Sequence, residues 1–156
     1  MMRIEIDQSG KIEDTNRLTV IAFSNAKTGS ILITAKDKKK IQSIYRKLGQ
    51  PRIFVYKLFA VAIFALVKAE RQRIGQIVID REYIGFEELI KQFIYEIFER
   101  NNQKLSKGTI HFSLIGKKSR AHQVAFVAFK HKRADLKLDE QKFRRFAFKK
   151  QKPGIA

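Results

Sequence analysis

The chain has 156 residues, 33 of them Lys or Arg against 15 Asp or Glu, for a formal net charge of +18. That length suits one domain with a real core, and a hydrophobic content of 44% with 13 Phe excludes general disorder. The absence of Cys excludes a disulfide scaffold, a Cys-ligated zinc site and a Cys nucleophile. His111, His122 and His131 lack the spacing of a His-built zinc site.

The excess charge concerns partners and not fold. A basic footprint of this size points first to nucleic acid, then to acidic proteins and anionic membranes. Cys-free chains rich in Lys and Glu are also a hyperthermophile habit. That habit balances the two signs, however, whereas here the cations outnumber the acids about two to one. Charges interrupt any apolar run in Met1-Met2-Arg3-Ile4-Glu5, so no signal peptide is expected. The most apolar stretch, 53–67, is shorter than the ~20 residues of a membrane span and contains Lys57, so it is expected to be a buried helix. These features together predict a cytoplasmic protein that does not enter a membrane.

Residues 2–7 (MRIEID) alternate apolar and charged and predict a strand ending on an acid. Gln8-Ser9-Gly10-Lys11 has turn chemistry. Residues 17–24 (RLTVIAFS) and 30–35 (SILITA) predict two more strands, joined by a loop at 25–29 into an antiparallel meander. The period then changes. Asp37 can cap a helix in which Ile41, Ile44, Tyr45 and Leu48 share a face. Gly49-Gln50-Pro51 breaks that helix, and 52–71 predicts a long apolar one. Residues 76–80 (QIVID) form a strand that again ends on an acid. Phe86, Leu89, Ile90, Phe93, Ile94, Ile97 and Phe98 follow with helical spacing. Residues 108–115 (GTIHFSLI) predict a fifth strand, and Ser119 caps a helix running to about residue 130.

A domain over 1–130 is therefore expected, followed by a basic, partly helical extension over 131–156. Within the extension, Phe143 and Phe146 should pack on the body while the cations stay wet, and 149–156 should be frayed. The order β-β-β-α-β-α-β-α implies an α/β fold with a mixed five-stranded sheet and helices on both faces.

Two acids end apolar strands: Asp7 and Asp80. An acid in that position costs desolvation energy unless it is paired or metal-bound. If the first and fourth strands are adjacent and parallel, both carboxylates meet at the sheet end where α/β proteins bind ligands. A divalent cation would relieve their repulsion, and oxygen ligands favour Mg²⁺ or Mn²⁺ over zinc. The alternatives are local: Asp7 could close an Asx-turn over Ser9-Gly10, and Asp80 could cap or pair with Arg81. Glu82 and Glu87 are the nearest other acids, with Glu87 suited to the first turn of its helix.

The element order, the Asp7-Gln8-Ser9-Gly10 turn and Asp80 at the end of the fourth strand resemble the ribonuclease H-like superfamily, resolvase-like branch, over roughly residues 2–130. The resemblance implies two-metal phosphodiester hydrolysis, with ions ~4 Å apart. The family adds helix-borne acids. For these the chain offers Asp37 or Glu70, and neither matches the expected position well. The segment Lys117-Lys118-Ser119-Arg120-Ala121-His122-Gln123 resembles the opening of the family's last helix. Here Gln123 or His122 takes the place of an Asp, and His122 is implied as a third metal ligand. Junction-cutting members of the family imply a homodimer.

Basic clusters flank the expected site. Lys38 and Lys39 start the first helix, and Lys117, Lys118 and Arg120 precede the last, so all five are candidate phosphate contacts. The expected function is a divalent-metal-dependent nuclease acting on DNA or RNA, with Asp7, Asp80 and His122 as its catalytic metal ligands. The alternative is a ribonuclease H-like nucleic-acid-binding protein without catalysis.

Overall fold

A computed structural model describes residues 2–148, those at 71–73 by backbone alone. The chain runs β1 (Met2–Ser9), β2 (Thr19–Ser24), β3 (Thr28–Ile33), α1 (Ala35–Lys47), α2 (Ile53–Val67), a 3-10 segment (Lys68–Arg73), β4 (Ile74–Asp80), α3 (Glu87–Arg100), β5 (Ile110–Ser113), α4 (Arg120–His131), β6 (Leu136–Lys137) and α5 (Glu140–Ala147). The sheet has six strands in the order β5-β4-β1-β2-β3-β6. Neighbours β1–β4, β4–β5 and β3–β6 are parallel, whereas β1–β2 and β2–β3 are antiparallel. Among the described strands, β2 alone runs against the rest.

The period-2 alternation of the strands divides the side chains between two layers. Ile4, Ile6, Ile77 and Ile79 point into the main core, which they share with α1, α2, α3 and α5. Val20, Ala22 and Leu32 point the other way and meet Ala125 and Ala128 of α4. Helices therefore cover both faces of a mixed α/β sheet. Helix α2 is apolar on every side because it is the central helix of the main core, with eleven of its fifteen residues buried. Helix α4 lies close to the sheet because Ala121, Ala125 and Ala128 form its inner seam.

Several elements differ from the sequence expectation. The first strand does not stop at Asp7 but continues to Ser9, and the turn falls at Gly10, which takes φ +81°. The long helix ends at Val67 and tightens into the 3-10 segment. The sheet has a sixth strand, because β6 adds to the edge beyond β3, where Leu138 N–H donates to the Leu32 carbonyl at 2.9 Å. Beyond it, Phe143 and Phe146 of α5 are buried in the main core, as their spacing suggested. The expected frayed segment, 149–156, lies outside the described residues. Among the described residues, no helix is long and apolar enough to cross a membrane.

Candidate carboxylate site and its basic surround

The register of the two central parallel strands brings the acids together. Ile6 pairs with Ile79, so Asp7 and Asp80 are the next residues along β1 and β4. Alternation turns both away from the Ile4–Ile6 core and toward the face that α4 covers. Asp7 is buried at 6% exposure. Its Oδ1 accepts the Gln8 backbone N–H at 2.8 Å, and its Oδ2 lies 2.8 Å from His122 Nδ1. Burial raises the Asp7 carboxyl above its ordinary range, and the Asp80 charge adds to the rise; the Gln8 and His122 hydrogen bonds oppose it without cancelling it.

Asp80 has a second attachment. Its Oδ1 accepts the Ile115 backbone N–H at 2.9 Å, which ties the β5–α4 loop to the end of β4. Glu82 stands on the exposed rim. Partial withdrawal from water, then the charges of Asp80, Asp7 and Glu13, raise its carboxyl, with Lys11 opposing. The loop carrying Glu82 is pinned by its neighbour Tyr83, whose hydroxyl accepts from Gln8 Nε2 at 3.0 Å. Glu87 caps locally, accepting the Gly85 N–H.

His122 reaches Asp7 because Ser119 starts α4 at the right level of the sheet. The Ser119 hydroxyl accepts the Ala121 N–H and donates to Glu5 Oε1 at 2.9 Å. Glu5 shares the face of Asp7, two residues earlier on β1, and its other oxygen pairs with Arg3. This docking contact was not foreseen. The one signal for it in the sequence is that Glu5 and Asp7 are two residues apart on a strand.

Neither helix-borne acid joins the site. Asp37 is buried, its Oδ2 accepting from the Thr34 hydroxyl and its Oδ1 from the Glu140 N–H, so it links α1 to α5. Glu70 lies in the segment preceding β4, at the opposite end of a seven-residue strand, roughly 20 Å long, from Asp80. Among the described residues, no three His, Asp or Glu side chains converge as a ready metal-binding group.

The basic candidates divide. Lys39, Lys117 and Lys118 are exposed. Lys38 is not, which corrects the expectation that it meets phosphate. It is fully buried, and its ammonium donates to the Lys11 and Asp14 carbonyls at 3.0 and 2.8 Å, closing the β1–β2 loop over α1. Burial lowers its pKa to about 8 against the pull of Asp14 and Glu13. Arg120 is exposed but turns from the carboxylates, donating to the Asn25 carbonyl in the β2–β3 turn, at the amino end of β1.

Comparison with known proteins finds no match: no family model, curated protein or solved structure is significantly similar to this chain.

Proposed function

We propose that the chain is a divalent-metal-dependent nuclease of ribonuclease H-like fold, hydrolysing phosphodiester bonds of DNA or RNA. The observation that carries this reading is the side-by-side placement of Asp7 and Asp80 on the central parallel strands, in a protein of net charge +18. The strand order supports it: a three-stranded meander whose first strand pairs in parallel with β4, with the helix that follows β5 packed over β1 and β2, where His122 meets Asp7. A junction substrate would call for a homodimer, and a cytoplasmic setting suits a chain without Cys.

The donor set fits Mg²⁺ or Mn²⁺ better than a closed zinc cage. Magnesium commonly takes one or two carboxylates and completes its shell with water and substrate phosphate. Asp7 and Asp80 supply those carboxylates, and a bound cation would offset the ionised form of Asp7 that burial disfavours. When bound, such ions activate a water and stabilise the leaving oxygen. His122 Nδ1 lies 2.8 Å from Asp7 Oδ2 and so orients that carboxylate; to serve as the third ligand itself, the ring would have to turn from Asp7 toward the ion. Lys39, Lys117 and Lys118 neutralise substrate phosphates and contribute no sequence preference.

A cleavage assay tests the proposal. Labelled single-stranded, duplex, hybrid and junction substrates are incubated with Mg²⁺, Mn²⁺ or EDTA, alongside Asp7→Asn and Asp80→Asn. Metal-dependent cutting lost in both variants supports the nuclease, and cutting that survives in either removes that residue from the chemistry. A second reading, binding without cleavage, draws on the absence of a third converging ligand among the described residues. It is supported if nucleic acid is bound and no metal produces cutting.

A further inference from the structure

Along α4, His122, Phe126 and Phe129 fall at i, i+4 and i+7, on one flank of the buried Ala121–Ala125–Ala128 seam. His122 meets Asp7. One turn on, about 6 Å along the axis, Phe126 stands 53% exposed. It opens onto a groove of about 610 Å³, also lined by Phe129, Arg17, Lys130, Lys132 and Thr34. The groove wall holds three cations and no acid. Phe129 forms its floor, with the Arg17 guanidinium 5.2 Å from its ring centre. The same ring edge packs so closely on Gly10 that a Cβ there would lie 2.6 Å from it. Gly10 follows Asp7 by three residues, so Phe129, which lines the groove, packs against the turn just beyond the end of β1 that carries Asp7.

We propose that this groove is the track of a single-stranded nucleic-acid segment, with one base stacked on Phe126 and adjacent phosphates held by Arg17, Lys130 and Lys132. An acidic peptide would use the cations but has no need of an exposed aromatic face. A duplex keeps its bases stacked inside, away from Phe126. An unpaired base beside phosphates uses both features, since stacking on aromatic rings and a basic groove are the two devices of sequence-tolerant single-strand binding. The inference rests on the nucleic-acid reading above and adds where the strand lies and that it is unpaired.

The test compares a fluorescent oligothymidylate with an abasic oligonucleotide of equal length and charge, by anisotropy at several salt concentrations. The wild type should bind the thymidylate about 5- to 150-fold more tightly than the abasic strand, the range for one stacked base. Phe126→Ala should erase that preference, Phe126→Trp should keep it, and Leu48→Ala, at an exposed apolar position elsewhere, should leave it intact. Phe126 is half in solvent, so its variants should fold, and circular dichroism checks this. Lys130→Gln should flatten the salt dependence by a slope of ~0.7 for both strands. If the wild type prefers thymidylate and Phe126→Ala does so equally, the groove assignment falls and the nucleic-acid reading stands. Equal binding of both strands by the wild type also removes only the groove. An acidic polypeptide that displaces neither strand supports the assignment, and one that binds more tightly than thymidylate overturns it. If the wild type binds no nucleic acid, both readings fall together.

Discussion

His122 Nδ1 and Asp7 Oδ2 lie 2.8 Å apart although 115 residues separate them in the chain. The contact depends on two placements: β1 delivers Asp7 to the α4 face, and the Ser119–Glu5 hydrogen bond sets the level at which α4 begins. A partner of this kind fixes the orientation of a carboxylate ligand, and loss of such partners typically costs 10–100-fold in metal affinity or activity. His122→Ala should therefore reduce cleavage by about that factor, while Gln123→Ala, one residue away and exposed, should leave it unchanged. Mg²⁺ titrations of the cleavage rate in both variants measure this.

Asp7→Asn should abolish cleavage yet stabilise the protein. The folded state holds a proton on Asp7 more readily than the unfolded chain does. Stability from this group therefore grows as pH falls through the window just above the ordinary carboxylate range, and the ionised group is a cost at neutral pH. The amide removes that cost; its Oδ1 can keep the Gln8 N–H while its Nδ2 donates to His122 Nδ1 in the tautomer that leaves that nitrogen unprotonated. Such relief at functional sites commonly amounts to ~0.5–2 kcal/mol, with ~2–4 °C in Tm for each kcal/mol at this size. Thermal melts at pH 7 should show the rise, and added Mg²⁺ should raise the Tm of the wild type but not of the variant.

Lys38→Met should destabilise the fold by about 1–3 kcal/mol, because the Lys11 and Asp14 carbonyls lose their buried donor. The pH dependence is specific. With a folded pKa of about 8 against the ordinary 10.5, the unfolded chain holds more protons on this lysine between those values. The lysine's own contribution therefore improves as pH rises across that window. Urea melts at pH 7 and pH 9.5 should show the gap between wild type and variant widening at the higher pH.

The exposed lysines should act on affinity alone. Lys39→Gln, Lys117→Gln and Lys118→Gln should each reduce the slope of log affinity against log salt on duplex DNA, by ~0.9 for every phosphate that the lysine neutralises. Their Tm values should stay within about 0.5 kcal/mol equivalent of the wild type. Lys38→Met should reverse the pattern, lowering Tm with an unchanged salt slope.

The meander, α3 and the pair Asp7 and Asp80 were legible because period-2 and period-3.6 patterns are local, and because an acid after Ile77-Val78-Ile79 is conspicuous. Lys38 was misread because it sits in the run Lys36-Asp37-Lys38-Lys39-Lys40, and such runs usually mark a solvated face. A local signal was present nonetheless. Lys38, Ile41 and Tyr45 are spaced i, i+3, i+7, and all three are buried on α1. Arg120 was misplaced for a different reason. Spacing shows that it opens α4 but not that α4 begins at the level of Glu5, from which its guanidinium reaches the β2–β3 turn. Strand β6 is two residues long and has no period to read. Asp37 looked like a candidate ligand because a helix cap and a metal ligand share the same position, and the deciding partner, Glu140, lies 103 residues away.

The seam formed by β6 and α5 has a consequence for how the protein is made. Leu138 closes on Leu32, Phe143 meets the Tyr45 ring edge-on at 6.1 Å, and Phe146 meets Phe64 at 5.3 Å. During synthesis the apolar helix α2 must therefore leave the ribosome well before the phenylalanines that cover one side of it are translated. At ~5–20 residues per second, that side stays uncovered for several seconds. Native closure is thus a late, long-range event, and nascent chains halted before residue 138 should be the form that chaperones hold and proteases remove.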